Sequence, residues 1–494
     1  MTRKATVLQH PSARFEAAAP SLYHERPPTS QAPDAEVAAA GEVLRDYARH
    51  LADNSAIVSA ILDARVASGV GAGLTYEPMI RARPSAKQRA NGEPGDLLTE
   101  LNDAVRRIVV EEWAQAVDTS GETSRAELER TAWRAWDCDG EVFGRRVVRG
   151  RTPERLGYQV QLIESDLVPY GTWHNNRAVL GIERDDYGAP VLYRVWPYRP
   201  SLWRSGYGMQ QMEAKDVPAL DVRHLRRAAR PGQTRGITLL HAVLFRISDI
   251  AEYQQSHRLA ARAAEDLFAM VKKDPAMLGR QLAEAEDDER VDAQDRDWQF
   301  DRLQVLEGRP GESVDMFSPQ HPNQNAVDFV REELRAIAAA CRIGFSQIAQ
   351  VFDRAYAAQR LELVYAWRMV EQDRAQFVSD FARPLLYRWP LEIARLEGRL
   401  PARALRRADP RTLYDVRIDG PTMPVIDPEK DRKAFVLDQE QGWDSRHSII
   451  RKLGRVPAQV DAERAADTQA PAPTVKESLS VEPPPADDEE DVNK

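Results

Sequence analysis

Hydrophobic residues along this 494-residue chain change their spacing twice. From Glu36 onward, Val43, Leu44, Tyr47, Leu51, Val58, Ile61, Leu62 and Val66 recur mostly at steps of three and four. That is the one-sided stripe of amphipathic helix, with a break expected at Asp53-Asn54-Ser55. Helices are expected again over 97–117 and from about Ser124 to Trp136. Between 141 and 220 the pattern switches to short segments rich in Val, Ile, Tyr and Trp: Val142–Arg149, Tyr158–Ile163, Val179–Ile182 and Val191–Trp196. Gly150, Gly157, Gly171, Asp186-Tyr187-Gly188 and Pro190 punctuate them, a strand-and-turn pattern. Helical spacing returns at 237–273, 326–342 and 358–398, where Pro384 and Pro390 are expected to kink or divide the helix. Helices, then strands, then helices again read as an α+β fold.

The two ends lack such periodicity. Pro11, Pro20, Pro27, Pro28 and Pro33 break any helix in residues 1–35, which read as a disordered or extended arm. Residues 467–494, with Pro483-Pro484-Pro485 and the run Asp487-Asp488-Glu489-Glu490-Asp491, read as a disordered acidic tail. Of the net charge of −9, residues 461–494 carry −7, leaving −2 for the rest. Such a tail is either solvated or a docking arm for a basic partner. No apolar run approaches the ~18–20 residues of a bilayer span, and no apolar segment follows the basic N-terminus. Neither a membrane span nor a secretory signal is therefore expected. Cys138 and Cys341 fit neither a zinc site nor a redox pair, and imply folding in a reducing compartment.

Signatures of catalysis are missing. Gly69-Val70-Gly71-Ala72-Gly73 has the wrong spacing for a dinucleotide loop and follows a helix, so it reads as a turn. No Gly-Lys-Ser or Gly-Lys-Thr phosphate loop, His-Glu-x-x-His or Gly-x-Ser-x-Gly occurs. Cys341, on an apolar stripe, reads as an inert buried thiol. No cofactor and no metal is expected. Two charged stretches stand out. Residues 223–235 carry five arginines and no acid, as in a solvated loop or an interface, with phosphate contact the alternative. Residues 281–301 carry nine acids against two arginines.

Six short motifs follow in order. They are Asn54-Ser55-Ala56-Ile57 through Val70-Gly71-Ala72-Gly73-Leu74; Trp136-Asp137-Cys138-Asp139-Gly140-Glu141-Val142-Phe143; and Leu162-Ile163-Glu164-Ser165-Asp166. Then come Arg230-Pro231-Gly232-Gln233-Thr234-Arg235-Gly236; Gly344-Phe345 with Val351-Phe352-Asp353 and Tyr356-Ala357-Ala358-Gln359-Arg360; and Ile426-Asp427-Pro428-Glu429-Lys430. On these residues the chain resembles the portal proteins of lambda-like tailed bacteriophages over about 36–466. Where that family usually has Ser-Ser, this chain has Ala357-Ala358.

The resemblance implies a phage portal fold: a mixed α/β wing, long stem helices, a small clip and a helical crown, assembled as a twelve-membered ring at one capsid vertex. Residues 36–235 would form the wing, 236–273 and 323–343 the stem helices, and 274–322 the clip. Residues 344–357 would be the tunnel loop, 358–430 a long helix and return through the wing, and 431–466 the crown. Gln347, Gln350, Asp353 and Arg354 would face DNA in the channel. Arg230, Gly232, Gln233, Arg235, Tyr356 and Arg360 would form an inter-subunit or structural motif. Implied partners are further copies of the chain, double-stranded DNA without sequence preference, the terminase large subunit, the major capsid protein and scaffold, and head-completion proteins. The implied location is the virion, after synthesis in the host cytoplasm, and no reaction is implied. Two alternatives stay open: a metal-dependent nuclease using Glu164, Asp166, Asp185 and Asp186, and a cellular ring scaffold with a portal-like fold.

Overall fold

The computed structural model describes residues 31–150, 155–171, 178–197, 214–266, 269–273, 312–316, 324–349, 356–424 and 428–467. It forms two compact units, divided between Gly420 and Pro421.

In the first unit, α1 (Pro33–Asn54) and α2 (Ala56–Gly69) meet at Ser55, whose extended backbone is the expected break. Pro33 opens α1, where a missing N–H leaves no bond unmade. The glycine turn after α2 is a packing device as well as a bend. Gly71 and Gly73 have φ of 59° and 131°, and a Cβ on Gly69 would lie 2.4 Å from the Trp133 ring. Next come β1 (Thr75–Pro78), α3 (Ala86–Ala90) and α4 (Thr99–Val105). A π turn (Arg106–Glu112) and a 3-10 turn (Trp113–Gln115) prolong α4 through the expected helical range. Then α5 (Arg125–Cys138) starts at Ser124, whose hydroxyl accepts the Glu127 N–H at 3.3 Å.

The strand region holds β2 (Glu141–Val148), β3 (Tyr158–Ile163), β4 (Ala178–Val179), β5 (Ile182–Arg184), β6 (Pro190–Val195), β7 (Lys215–Pro218) and β8 (Val222–Arg226). They form antiparallel sheets of order β3-β2-β8 and β4-β5-β6-β7. The single strand expected over Val179–Ile182 is a hairpin instead. Leu180 (φ 55°) and Gly181 (φ 79°) make its turn, and the Leu180 side chain is buried, so an apolar letter disguised a bend.

The helix expected over 237–273 is shorter at both ends. Residues 237–238 are irregular, 239–243 are turns, and α6 runs Leu244–Asp266. Beyond it β9 (Ala269–Lys273) pairs antiparallel with β10 (Glu312–Met316), Val271 opposite Val314. Next, α7 (Gln324–Ala340) ends at Arg342, which takes a left-handed φ of 59° while the Ile343 N–H returns to the Ala338 carbonyl at 3.1 Å. A short helix, α8 (Phe345–Ala349), occupies part of the expected loop 344–357. The long helical stretch is α9 (Tyr356–Phe377), a π segment (Val378–Arg388) and α10 (Trp389–Leu396). Pro384 lies within the π segment and Pro390 in the first turn of α10, so the expected division takes the form of a widened helix. After α11 (Ala402–Arg407), β11 (Val416–Asp419) pairs antiparallel with β1.

Three apolar clusters hold this unit together. Trp133 and Trp136 of α5 pack with Phe377, Phe381 and Leu385 of the late helix. Val58, Ile61 and Leu62 of α2 meet Leu244, Ile247, Ile337 and Cys341. Phe143, Ile163, Ile182, Tyr193 and Val217 fill the space between the sheets. Each such side chain stabilises the fold by about 1.5–3 kcal/mol when fully buried.

The second unit contains α12 (Pro428–Glu440), α13 (Arg446–Lys452) and α14 (Pro457–Ala466). An Arg446–Asp461 ion pair at 2.6 Å ties α13 to α14, while Val436, Leu437 and Trp443 stay exposed. Among the described residues, no helix is long and apolar enough to cross a membrane.

Candidate functional site

The segment leaving α5, Trp136-Asp137-Cys138-Asp139-Gly140-Glu141, sends its three acids to three different arginine systems. Asp137 is fully buried and accepts Arg65 Nε at 3.1 Å and Nη2 at 3.0 Å, with Arg227 bonded alongside. Asp373 of α9 accepts Arg65 at 2.6 Å and Arg342 at 2.8 Å, with Arg227 at 3.4 Å. The cluster thus joins α2, α5, the end of β8, the turn after α7, and α9. The Arg227 guanidinium also stacks on the Trp136 ring, 3.9 Å from its centroid. Burial alone would raise the Asp137 carboxyl, but Arg65 and Arg227 beside it hold it below the ordinary carboxylate range.

Asp139 takes both forks of Arg49, at 2.8 and 2.6 Å, and Arg49 and Arg45 reach on to Asp166 at 2.5 and 2.7 Å. Glu141 accepts Arg235 Nε at 2.7 Å, the Gly236 N–H at 3.0 Å and His224 Nε2 at 2.9 Å. The remaining Arg235 donors meet the carbonyls of Val168, Leu180 and Ser165. Burial pushes His224 down to about 4, so at neutral pH it is uncharged and donates Nε2–H to Glu141. Gly140 makes the bend possible: its φ is 87°, and a Cβ there would lie 2.2 Å from the Ile237 carbonyl carbon.

The arginine-rich stretch 223–235, expected as a solvated loop or interface, is therefore largely consumed inside the fold. Arg227 and Arg235 are committed to buried acids, and Arg226 donates to the Thr234 carbonyl at 2.9 Å. Within its motif, Arg230 pairs with Glu36 at 2.9 Å and Gly232 supplies a φ of 80°. The Gln233 amide accepts the Ala229 N–H at 3.0 Å and donates to the Arg235 carbonyl at 2.8 Å. Thr234 binds Asp34, in the first turn of α1, through its N–H and hydroxyl.

Of the expected channel residues, Gln347 is engaged in its own turn, its Oε1 accepting the Gly344 N–H at 3.0 Å. Beside it, Glu362 accepts the Ser346 N–H at 2.9 Å. Gln350, Asp353 and Arg354 lie outside the described residues. Tyr356 opens α9, and Arg360 is half-buried one turn later. Three of the four carboxylates of the nuclease reading are engaged by groups of the protein itself. Arg49 holds Glu164 at 3.3 Å as well as Asp166, while Asp185 accepts the Tyr187 and Ala189 N–H groups in a turn. Among the described residues no group of three or more His, Cys, Asp or Glu could hold a metal. Cys138 and Cys341 are free and buried, and burial pushes both thiols up to about 12.

Sequence reasoning missed Arg65, His224 and Asp373 as members of these networks. A signal was present: Arg65 follows Ile61 and Leu62 at helical steps, and Asp373 sits between Val370 and Phe377, all on buried stripes.

A model of the phage portal protein, lambda family, matches residues 20–374, which contain every quoted motif except Ile426–Lys430. The chain belongs to that family. A portal relative, the "Probable portal protein" of Halomonas phage phiHAP-1, is 26% identical over 378 residues, 73% of this chain and 69% of its own length. Among solved structures, this portal chain is similar to the neck of an empty GTA particle (13% identity, 83% of this chain and 94% of that chain, TM-score 0.38). It is also similar to the virion of a native gene transfer agent particle (13% identity, 87% and 96%). Portal proteins are structural rather than catalytic, and the ion pairs and hydrogen bonds of this one join the first four motifs into a single frame.

Proposed function

We propose that copies of this portal chain close into a twelve-membered ring at one capsid vertex, the channel through which duplex DNA enters during packaging and leaves at ejection. One observation within the chain carries the reading: α6, α7 and α9 leave apolar side chains uncovered. Phe245, Leu259, Val327, Phe329, Leu361 and Tyr365 are all exposed, and an open cleft of about 470 Å³ lies between α7 and α9. A lone copy loses hydrophobic stabilisation there, and a head-to-tail contact that closes into a ring recovers it.

In this reading 36–235 is wing, 236–273 and 323–343 are stem, 274–322 is clip, 344–357 is the tunnel loop, 358–430 returns through the wing and 431–466 is crown. Gln347, Gln350, Asp353 and Arg354 face the DNA, and the ring performs no reaction of its own. It docks the terminase large subunit, capsid and scaffold, and head-completion proteins, and it resides in the virion. A body carrying only −2 outside its acidic C-terminal segment suits a conduit that must not grip the duplex. Negative-stain microscopy of the purified protein tests the assembly. Rings with a central hole and close to twelve-fold symmetry are expected; monomers at every protein and salt concentration would overturn the reading.

A further inference from the structure

Two basic segments far apart in the chain come together in the first unit. Residues 81–89 carry four basic side chains and no acid, and residues 399–411 carry five against Asp409 alone. An antiparallel bridge between Ala82 and Ala408 clamps them together, with the Arg83 N–H on the Arg407 carbonyl at 3.0 Å and the Asp409 N–H on the Arg81 carbonyl at 2.8 Å. This isolated bridge lies beyond the end of the β1–β11 ribbon, and its backbone hydrogen bonds hold the two segments side by side. Arg403, Arg406 and Arg407 share one face of α11 by their three- and four-residue spacing. Arg83, Lys87, Arg89, Arg403, Arg406 and Arg407 are all exposed, and none has a carboxylate partner among the described residues. Those that bond at all use carbonyls: Arg83 that of Ala408 and Arg89 that of Pro84.

An exposed array of uncompensated arginines repels itself, and in a chain of net charge −9 it stands out against the general balance. Protein partners are usually anchored by buried aromatic or aliphatic side chains at the centre of an interface. Neither segment carries an exposed large apolar residue. Base-stacking on single strands needs exposed aromatics, and these are missing too. What remains is a row of forked donors suited to phosphate oxygens. We propose that the surface formed by 81–89 and 399–411 binds the phosphate backbone of duplex DNA without sequence preference, on elements that exclude the 344–357 segment.

The test uses the full-length protein and a covalently closed circular plasmid, which cannot thread a closed ring. Filter binding is measured between 50 and 300 mM salt for wild type and for the variant Arg83→Ala/Lys87→Ala/Arg403→Ala/Arg407→Ala. The wild type should bind, and the variant should bind at least tenfold more weakly at 100 mM salt. Its slope of log K against log salt should fall by about 3–4, since each phosphate contact contributes about 0.9. A single Arg403→Ala, on an exposed helix face, should lower the slope by about 1, which keeps the test valid if the fourfold variant misfolds. Wild type that ignores the plasmid at 50 mM salt overturns the proposal, as does a fourfold variant with an unchanged slope. So does a patch that captures polyglutamate but not DNA. Ring formation is scored in parallel by microscopy: lost plasmid binding with intact rings supports this surface, whereas missing rings bear on the assembly alone.

Discussion

Asp137 and Asp373 hold Arg65, Arg227 and Arg342 in and beside the interior, and Arg65 is fully buried. Removing one member strands the others. Asp137→Ala should cost about 3–5 kcal/mol, read as a large drop in denaturation midpoint or as loss of soluble protein. Gly140→Ala should be similarly damaging, because a methyl group there meets the Ile237 backbone and φ is left-handed. The Glu141–His224 pair predicts a pH dependence. His224 is held near 4 when folded, below its ordinary 6.5, so the unfolded chain takes up a proton first as pH falls. The stability from its neutral form is complete above about 6.5 and is lost between there and about 4. Glu141, held below its ordinary 4.5 by Arg235 and His224 against burial, adds further loss in stronger acid. Melts at pH 7 and pH 5 should differ by about 2 kcal/mol from His224, and His224→Gln should flatten that portion of the profile. Of these charged residues, the acids of the 136–143 motif and Arg227 and Arg235 of the arginine-rich stretch stand out in the sequence, but Arg65, Arg342 and Asp373 do not, because a motif names residues without naming partners.

At the scale of elements, α7 and α9 present the exposed apolar face that the proposed ring closure would bury. Leu361→Asp with Tyr365→Glu, both at exposed positions, should leave the thermal midpoint of a single copy nearly unchanged, within about 0.5 kcal/mol, and abolish rings in the microscope. Replacing Gln347, Gln350 and Arg354 together with Ala should spare rings but impair packaging or DNA retention. Because Gln347 closes the turn at Gly344, a modest loss of about 1 kcal/mol should accompany it. Loss of assembly instead would make the segment an ordinary helix connection. Element boundaries were legible where periodicity was strong: the Ser55 break, α5, β2 and β3 fall where the letters put them. They were not legible at β4–β5, where buried Leu180 turns the chain. They failed also at β9, whose partner β10 lies well downstream, since pairing with a distant segment leaves no mark on local spacing.

Across the whole molecule, charge is organised by region. The net −9 sits mainly at the C-terminal end, Arg227 and Arg235 of the 223–235 stretch are spent on buried acids, and a group of exposed cations without carboxylate partners gathers where 81–89 meets 399–411. Deleting 467–494 should therefore leave folding and ring formation intact, checked by melting and microscopy; a chain that no longer folds would show that the tail is part of the structure. By itself, the sequence determined the alternation of helix and strand regions, the aperiodic ends and, through the order of its motifs, membership of the portal family. These are local or ordinal properties, written in the spacing and succession of residues. Only the tertiary structure decided which charges meet: Arg65 and Asp373 are 308 positions apart yet bonded at 2.6 Å, and Arg83 lies against Arg407 without an acid between them. Burial demands a partner for every charge, and which partner arrives depends on the loops the fold brings together, not on the neighbours along the chain.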